Sequence, residues 1–450
     1  MKDTEAYYKK MTETPVSRLI ITLGIPTTIS MLITNIYNMA DTYFVGELGE
    51  SPQAATGILF TLQAIIQAVA FMLGQGSGTL VSKSLAEKDT DEASSFVSTA
   101  FFLGGFLGLL LMIFGLIFIE PFMYLLGSSD TILPYAKDYG MWVLLAAPFM
   151  ICSLILNNNL RYEGKAFYSM IGLVTGGLLN IFGDYMLIKV YGMGVYGAGL
   201  STAVSQFVSF SILLYFHSKM ALGKIRPRFI SAKLMHYTSM LKIGFPAFVR
   251  QGLSSISNGL LNNLTRPFGD AAIAAMSVVN RYSALIMCVG LGIGQGFQPV
   301  ASYNYSAKKY SRVKKGLVVT MGIGALIITL ISIPGFIFAE NIAYIFQKND
   351  EVIRIAAVAL RWASIGTLFM PLSVPVNMLY QSIRKPALST LLSLMRSGLA
   401  MIPTLLITHY FFGLYGIQIS QPIADIITGL FCIPFILSFL RKKLVDDEPV

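Results

Sequence analysis

Long apolar stretches separated by short polar segments make up most of this chain of 450 residues. A helix of about 20 apolar residues is long enough to span a bilayer, and twelve stretches reach that length. Several exceed it, which predicts tilted or bent helices. The predicted spans are 15–45, 53–83, 95–119, 133–158, 166–189, 195–217, 238–268, 271–303, 316–339, 352–382, 387–411 and 414–440.

Composition and charge also indicate an all-α integral membrane protein. The chain is 54% hydrophobic and 12% charged, which no soluble globular class matches. Its net charge of +10 is concentrated in alternate loops, so the positive-inside rule explains it better than nucleic-acid binding does. We therefore expect a multi-pass protein of the cell membrane with both termini in the cytoplasm. The basic segments are 2–18, 83–88, 161–165, 219–242, 308–315, 384–385 and 441–443.

The two halves of the chain resemble each other at an offset near 220 residues. Three matches in the same order indicate an internal duplication with parallel topology, an arrangement found in membrane transporters. We expect a six-helix N-lobe at 1–220, a basic cytoplasmic linker at 221–236 and a six-helix C-lobe at 237–450. The matches are TLGIP at 22–26 with KIGFP at 242–246, GQG at 74–76 and 294–296, and YG at 196–197 and 415–416.

Two carboxylates, Asp41 and Asp184, lie inside apolar stretches of the first half. A charge at the centre of a membrane helix costs roughly 2.5–3.5 kcal/mol on insertion scales, so such residues usually face a protein interior or a water-filled cavity. Asn180 precedes Asp184 by one helical turn and therefore shares its helix face. The pattern favours an ion or proton path, although acids near helix ends that merely contact water would give the same pattern.

Motifs for other kinds of energy input are absent from the sequence. It contains no GxxxxGK[ST] phosphate cradle, no HExxH and no GxSxG, which argues against an ATP-driven pump and against a membrane enzyme. An ion gradient remains, since one charge crossing the membrane releases roughly 2.3 kcal/mol per 100 mV. We expect no cofactor other than H⁺ or Na⁺ as a coupling ion.

Over essentially its whole length the chain resembles the multidrug and toxic compound extrusion (MATE) family. The resemblance implies two six-helix bundles related by pseudo-two-fold symmetry. It also implies an antiporter, usually a single chain, that exports lipophilic and often cationic compounds in exchange for H⁺ or Na⁺. The residues that carry it are Pro26, YNMADTYFVG at 37–46, GQG at 74–76, NIFGD at 180–184 and YGAGLSTA at 196–203.

The resemblance also implies site residues. An ion-coupling site would contain Asp41, Asn180, Asp184 and Thr202, which are also the candidate ligands for Na⁺, with Tyr139 and Asn157 as neighbours. Pro26 and its counterpart Pro246 interrupt helical hydrogen bonding, so Pro26 is expected to bend the first helix, as a static kink or as a switch. A cleft for lipophilic cations would be lined by adaptable Met, aromatic and amide side chains. The candidates by position are Met31, Tyr37, Phe60, Gln63, Met72, Phe149, Met150, Tyr282 and Met287.

The second half departs from family members that carry acids in the C-lobe, because spans 238–268 and 352–382 contain none. It holds intramembrane arginines instead, with a single intramembrane acid, Asp425. Arg281, Arg361 and Asp425 lie at similar depth, so we predict that they form a buried cluster with a mainly structural role. Arginines suit an anionic head group, which keeps open a flippase for a lipid-linked or anionic amphiphile. A membrane scaffold or receptor is a third reading, but it leaves the buried acids unexplained.

Overall fold

The computed structural model describes residues 2–346, 348–442 and 446, and it is helical over nearly all of them. Two π-helical turns, Tyr185–Val190 and Met395–Leu399, interrupt this pattern, each following directly on an α-helix. The helices are α1 (Lys2–Glu13), α2 (Val16–Gly46), α3 (Glu50–Ala86), α4 (Thr90–Ile117), α5 (Ile119–Leu125), α6 (Leu133–Tyr162), α7 (Ala166–Asp184), α8 (Gly194–Met220), α9 (Leu234–Thr265), α10 (Asp270–Ser306), α11 (Tyr310–Ile337), α12 (Ala339–Phe346), α13 (Asp350–Thr367), α14 (Met370–Ser382), α15 (Pro386–Leu394) and α16 (Met401–Arg441).

Each of the twelve predicted spans coincides with helical structure. Among the described residues, nine helices are long and apolar enough to cross a membrane, and a tenth span arises if α13 and α14, bent by 50°, count as one. Two differences account for the lower number. The run Pro386–Arg441 contains two predicted spans separated by a non-helical backbone at Gly413. Helix α9 carries many serines and asparagines and is too polar for the same test.

The helices form two compact units. The first contains the chain up to Tyr8 together with Ile29–Phe248, and the second contains Lys9–Thr28 together with the chain from Val249 onward. The units therefore differ from the predicted lobes, because the first part of α2 belongs to the second unit and the first part of α9 belongs to the first unit. Both helices change unit two residues after a proline, at Pro26 and Pro246.

Glycines of the duplicated motifs explain why the first part of α2 packs in the second unit and the first part of α9 packs in the first unit. In the first unit, a Cβ on Gly76 would overlap the carbonyl oxygen of Met240, and one on Gly244 would overlap that of Met72. In the second unit, a Cβ on Gly296 would lie 2.5 Å from the Cα of Gly24. Small residues let helix backbones approach closely in membranes. The beginning of α9 can therefore pack on α3, and the beginning of α2 on α10.

The segment between α8 and α9 is held against the first unit. Glu163, which is fully buried, accepts hydrogen bonds from the backbone amides of Leu222 (2.5 Å) and Gly223 (3.2 Å). Ser98 of α4 donates to the carbonyl oxygen of Lys224 at 3.0 Å. Burial raises the pKa of Glu163, and the positive charge of Lys165 and the two amides oppose that effect. The basic segment predicted as a linker thus follows a defined path.

We expect Gly76→Ala to destabilise the protein, because the new methyl group has no space beside Met240. Overpacking of this kind typically costs about 1–3 kcal/mol. Gly57→Ala on the same helix is the matched control, since nothing lies within 4 Å of a Cβ there and alanine favours a helix over glycine by about 1 kcal/mol. Thermal unfolding in detergent should show a lower Tm for Gly76→Ala alone. Equal melting temperatures would contradict the proposed crossing.

Candidate functional site

Four helices of the first unit bring five of the predicted site residues together. Helix α2 supplies Asp41, α6 supplies Tyr139, α7 supplies Asn180 and Asp184, and α8 supplies Thr202. All five are at most 3% exposed, although up to 161 positions separate them along the chain. The structure therefore brings them into one buried polar cluster, and their role in ion coupling stays a prediction.

Hydrogen bonds run through this cluster in one direction. The amide nitrogen of Asn180 donates to Thr202 Oγ1 at 3.2 Å, and the hydroxyl groups of Thr202 and Tyr139 are 3.3 Å apart. Tyr139 donates to Asp41 Oδ2 at 2.7 Å. Since the single proton of Tyr139 goes to Asp41, the Thr202 hydroxyl must donate to Tyr139. The donors thus all point toward Asp41.

Several buried oxygens of the cluster accept no hydrogen bond within the described residues. They are Asp41 Oδ1, Asn180 Oδ1 and both carboxylate oxygens of Asp184. Ser201 lies beside Asp184, but its hydroxyl donates to the carbonyl oxygen of Asn180 at 3.0 Å. An unsatisfied buried acceptor is costly, and these oxygens are suited to a partner that carries a positive charge or donates a hydrogen bond.

Neither carboxylate has a basic partner among the described ion pairs. The nearby ion pair joins Lys189 to Glu47 at 2.7 Å, and both of its side chains are more than one-third exposed. Asp41 and Asp184 lie in the same buried cluster. Two buried acids without a base are strongly unfavourable as anions. A proton or a bound cation lowers that penalty, and oxygen ligands suit a hard cation such as Na⁺.

Small residues and a π-helical turn position these side chains. Gly183 admits Ser201, whose hydroxyl would lie 2.5 Å from a Cβ at that position, and Gly199 lets α8 approach the backbone of Tyr139. Asp184 is the last residue of α7 before the π-helical turn Tyr185–Val190, and such turns are frequent at functional sites. Ser201 was missed by the sequence analysis, although it stands beside Thr202 in the YGAGLSTA motif. No sequence signal marks the π-helical turn.

Asn157 has a different environment from the other predicted site residues. Its amide donates to the carbonyl oxygen of Ser169 at 3.1 Å, which joins α6 to the beginning of α7. Asn377, 220 positions later, donates to the carbonyl oxygen of Ser389 at 3.0 Å. The repetition of this bond in both units indicates that Asn157 supports the fold.

The predicted cleft residues are distributed over both units. Tyr37, Gln63, Met150 and Tyr282 are buried, and the others are partly exposed. Tyr282 shares a hydrogen bond of 2.9 Å with Ser364, and Phe149 packs against Phe207 and Phe210. The sulfur of Met287 lies 3.0 Å from Nη1 of Arg396. Their role as a common cleft stays a prediction.

The predicted cluster of Arg281, Arg361 and Asp425 is wrong. Arg281 is exposed, and Arg361 forms an exposed ion pair with Glu340 at 2.9 Å. Asp425 pairs instead with Arg396, whose Nε lies 3.2 Å from Asp425 Oδ1. Counting depth from helix ends failed because it does not specify which face of a helix a side chain occupies.

Membrane-length helices in duplicated halves, with a buried carboxylate site, define the class as a membrane transporter. The MatE family model matches residues 26–186 and 246–406. The two matches have the same length and are 220 positions apart, which agrees with the duplication seen in the sequence. The chain therefore belongs to the MATE family of transporters.

Known proteins resemble the chain over its full length. Multidrug export protein MepA of Staphylococcus saprophyticus is 28% identical over 456 residues, covering 100% of this chain and 99% of the relative. MepA of Staphylococcus aureus is 28% identical over 451 residues, covering 99% and 98%. A multidrug resistance MATE family transporter in an outward-facing conformation aligns with a TM-score of 0.90 at 23% identity, covering 96% and 98%.

We expect Tyr139→Phe to lower stability, because Asp41 Oδ2 would lose its hydrogen-bond donor inside the protein. Loss of a partner for a buried polar group costs about 1–3 kcal/mol, and more for a charged one. Tyr135→Phe is the matched control on the same helix, since Tyr135 is exposed. The Tm in detergent should fall for the first variant and stay near the wild-type value for the second. A Tyr139→Phe protein as stable as wild type would show that this hydrogen bond contributes nothing.

Proposed function

We propose that this protein is a secondary antiporter that exports lipophilic, often cationic compounds in exchange for H⁺ or Na⁺. The supporting observation is the buried pair Asp41 and Asp184, whose free oxygens have no basic partner within the described residues. The names of the MepA relatives agree with export of multiple drugs. The protein would act as a single chain in the cell membrane, with both termini cytoplasmic.

Coupling follows from differential affinity. A coupling ion shifts the equilibrium between two transporter conformations only if it binds one of them more tightly. Asp41 lies on α2, whose first part belongs to the second unit and whose remainder belongs to the first. Neutralising Asp41 therefore changes the charge of a helix that both units share. This connection gives the cation a way to bias the conformations that release the exported compound.

Transport in liposomes tests this proposal. We expect purified wild-type protein to drive efflux of ethidium, a lipophilic cation, under an imposed H⁺ gradient or an imposed Na⁺ gradient, and the effective gradient identifies the ion. Asp41→Asn and Asp184→Asn should each lower the rate at least tenfold, because an amide cannot take up the coupling charge. Asp138→Asn is the matched control, since Asp138 precedes Tyr139 on α6 but is exposed.

Two outcomes would contradict the proposal in different ways. Wild-type rates in both Asp41→Asn and Asp184→Asn would remove the coupling site while leaving the transport function. A wild-type protein that folds but moves no ethidium under either gradient would refute cation export and favour a flippase for an anionic amphiphile. Loss of transport in Asp138→Asn would show that the assay responds to charge changes anywhere in this unit.

A further inference from the structure

The second unit contains a cavity that the proposed coupling does not use. Its volume is about 300 Å³, at the lower end of the roughly 300–1,000 Å³ common for small-ligand pockets. Residues of α9, α10, α13, α14 and α16 and of the π-helical turn Met395–Leu399 line it. Its charged lining residues are Arg250, Arg396 and Asp425, so the net charge of the lining is +1.

Arg396 lines this cavity, and one of its N–H groups faces only a weak acceptor. Its Nε donates to Asp425 Oδ1 at 3.2 Å, and its Nη1 points at the sulfur of Met287 at 3.0 Å. The side chains of Arg396 and Asp425 are only 11% and 7% exposed. A thioether is a poor partner for a guanidinium, which can form two parallel hydrogen bonds to a carboxylate.

A second arginine and two side-chain amides lie around Arg396 and Asp425. Arg250 of α9 donates to Asn377 at 3.4 Å, and both line a smaller adjoining cavity that also contains Arg396. Gln421 donates to Asp425 Oδ2 at 3.2 Å, so this carboxylate has a neutral partner besides Arg396. Asp425 can therefore release Arg396 to an incoming anion without losing every hydrogen bond.

The rest of the cavity lining is largely apolar and adaptable. It includes four methionines, which accommodate ligands of different shape because their side chains are flexible and polarizable. Leucine, valine, isoleucine, alanine and proline side chains make up the other apolar positions. A lining that combines two arginines with flexible apolar side chains suits a molecule with an acid group and a hydrophobic body. The apolar lining residues are Leu261, Met276, Val279, Ala284, Met287, Leu291, Ala363, Met370, Met401, Ile417 and Pro422.

The internal duplication shows that this cavity differs in charge from the corresponding region of the first unit. At the offset of 220, the position of Asp41 corresponds to Leu261, and at the offset of 219 given by the YG motif, Thr202 corresponds to Gln421. Leu261 and Gln421 both line the cavity. The cavity of the second unit thus has two arginines and one acid, whereas the cluster of the first unit has two acids without a base among the described ion pairs.

We propose that the cavity of the second unit binds the acid group of an amphiphilic organic anion. Arg396, with Arg250 beside it, holds the acid group of the ligand. Asp425 competes with this acid group for Arg396, and the methionine-rich part of the lining holds the hydrophobic body. The same chemistry is offered by a soluble carboxylate and by an anionic lipid head group. Binding at this site does not depend on an ion gradient and can be measured apart from the proposed transport.

The test uses three related fluorescent probes and purified full-length protein. Dansylglycine carries a carboxylate, dansylglycinamide is its neutral analogue, and dansylcadaverine is cationic. We expect wild-type protein to bind dansylglycine at least about tenfold more tightly than the amide, which corresponds to about 1.4 kcal/mol. Arg396→Gln and Arg250→Gln should each reduce this preference, and the double variant should abolish it. The ratio of the two Kd values within one variant is independent of the fraction of folded protein.

Asp425→Asn distinguishes a binding site from a structural ion pair. We expect it to tighten dansylglycine binding severalfold, because the competing carboxylate is removed. If the pair only stabilises the fold, Asp425→Asn and Arg396→Gln would lower Tm together and neither would change the acid-to-amide ratio. Arg361→Gln is the matched control, since Arg361 pairs with Glu340 and does not line the cavity.

Nanodiscs of different lipid composition identify the source of the anion. If phosphatidylglycerol displaces dansylglycine from wild-type protein, whereas phosphatidylcholine does not, the cavity takes a lipid head group. Undiminished binding in phosphatidylglycerol supports a soluble acid. A wild-type acid-to-amide ratio near one, tighter binding of dansylcadaverine than of dansylglycine, or a ratio unchanged in the double arginine variant would overturn the proposal.

Discussion

Close approach of helix backbones at the duplicated glycines is the constraint on which the rest of the structure depends. Gly76 meets the beginning of α9 in the first unit, and Gly296 meets Gly24 of α2 in the second. Since only a hydrogen atom fits at these crossings, α2 and α9 are each divided between the units. Asp41 lies thirteen residues beyond Thr28, where α2 changes unit. The packing of the helices and the buried acid are thus linked through one continuous element.

The two units keep one framework but carry different chemistry. Asn157 and Asn377 make the same bond to a serine carbonyl oxygen, at 3.1 and 3.0 Å, and both units contain a π-helical turn. Around these shared features, the first unit presents Asp41 and Asp184, whereas the second presents arginines. Function resides in sites built on a fold. The family model matches both halves, so one framework carries buried acids in the first unit and an arginine-lined cavity in the second.

The sequence predicted the positions of the helices along the chain better than it predicted which helices and side chains contact each other. Helical structure coincides with each of the twelve predicted spans because bilayer thickness sets helix length, and Asp41 and Asp184, singled out by their apolar surroundings, lie in one buried cluster. Depth along a helix did not show which face Arg361 occupies, so the predicted arginine cluster was wrong. Motif spacing likewise did not show which glycine packs against which helix. The unit in which the beginning of α2 or α9 packs depends on atomic contacts that hydrophobic periodicity does not encode.

The direction of the hydrogen bonds determines what the acidic site can accept. Asn180, Thr202 and Tyr139 donate in sequence toward Asp41, so every donor of this hydrogen-bonded chain is already used. The free oxygens of Asp41, Asn180 and Asp184 offer no proton to an anion. They suit a proton or a hard cation. Under the proposed coupling, one monovalent cation leaves the pair of carboxylates with a single negative charge. Full neutralisation requires a second, which sets an upper limit of two charges carried by this pair in each transport cycle.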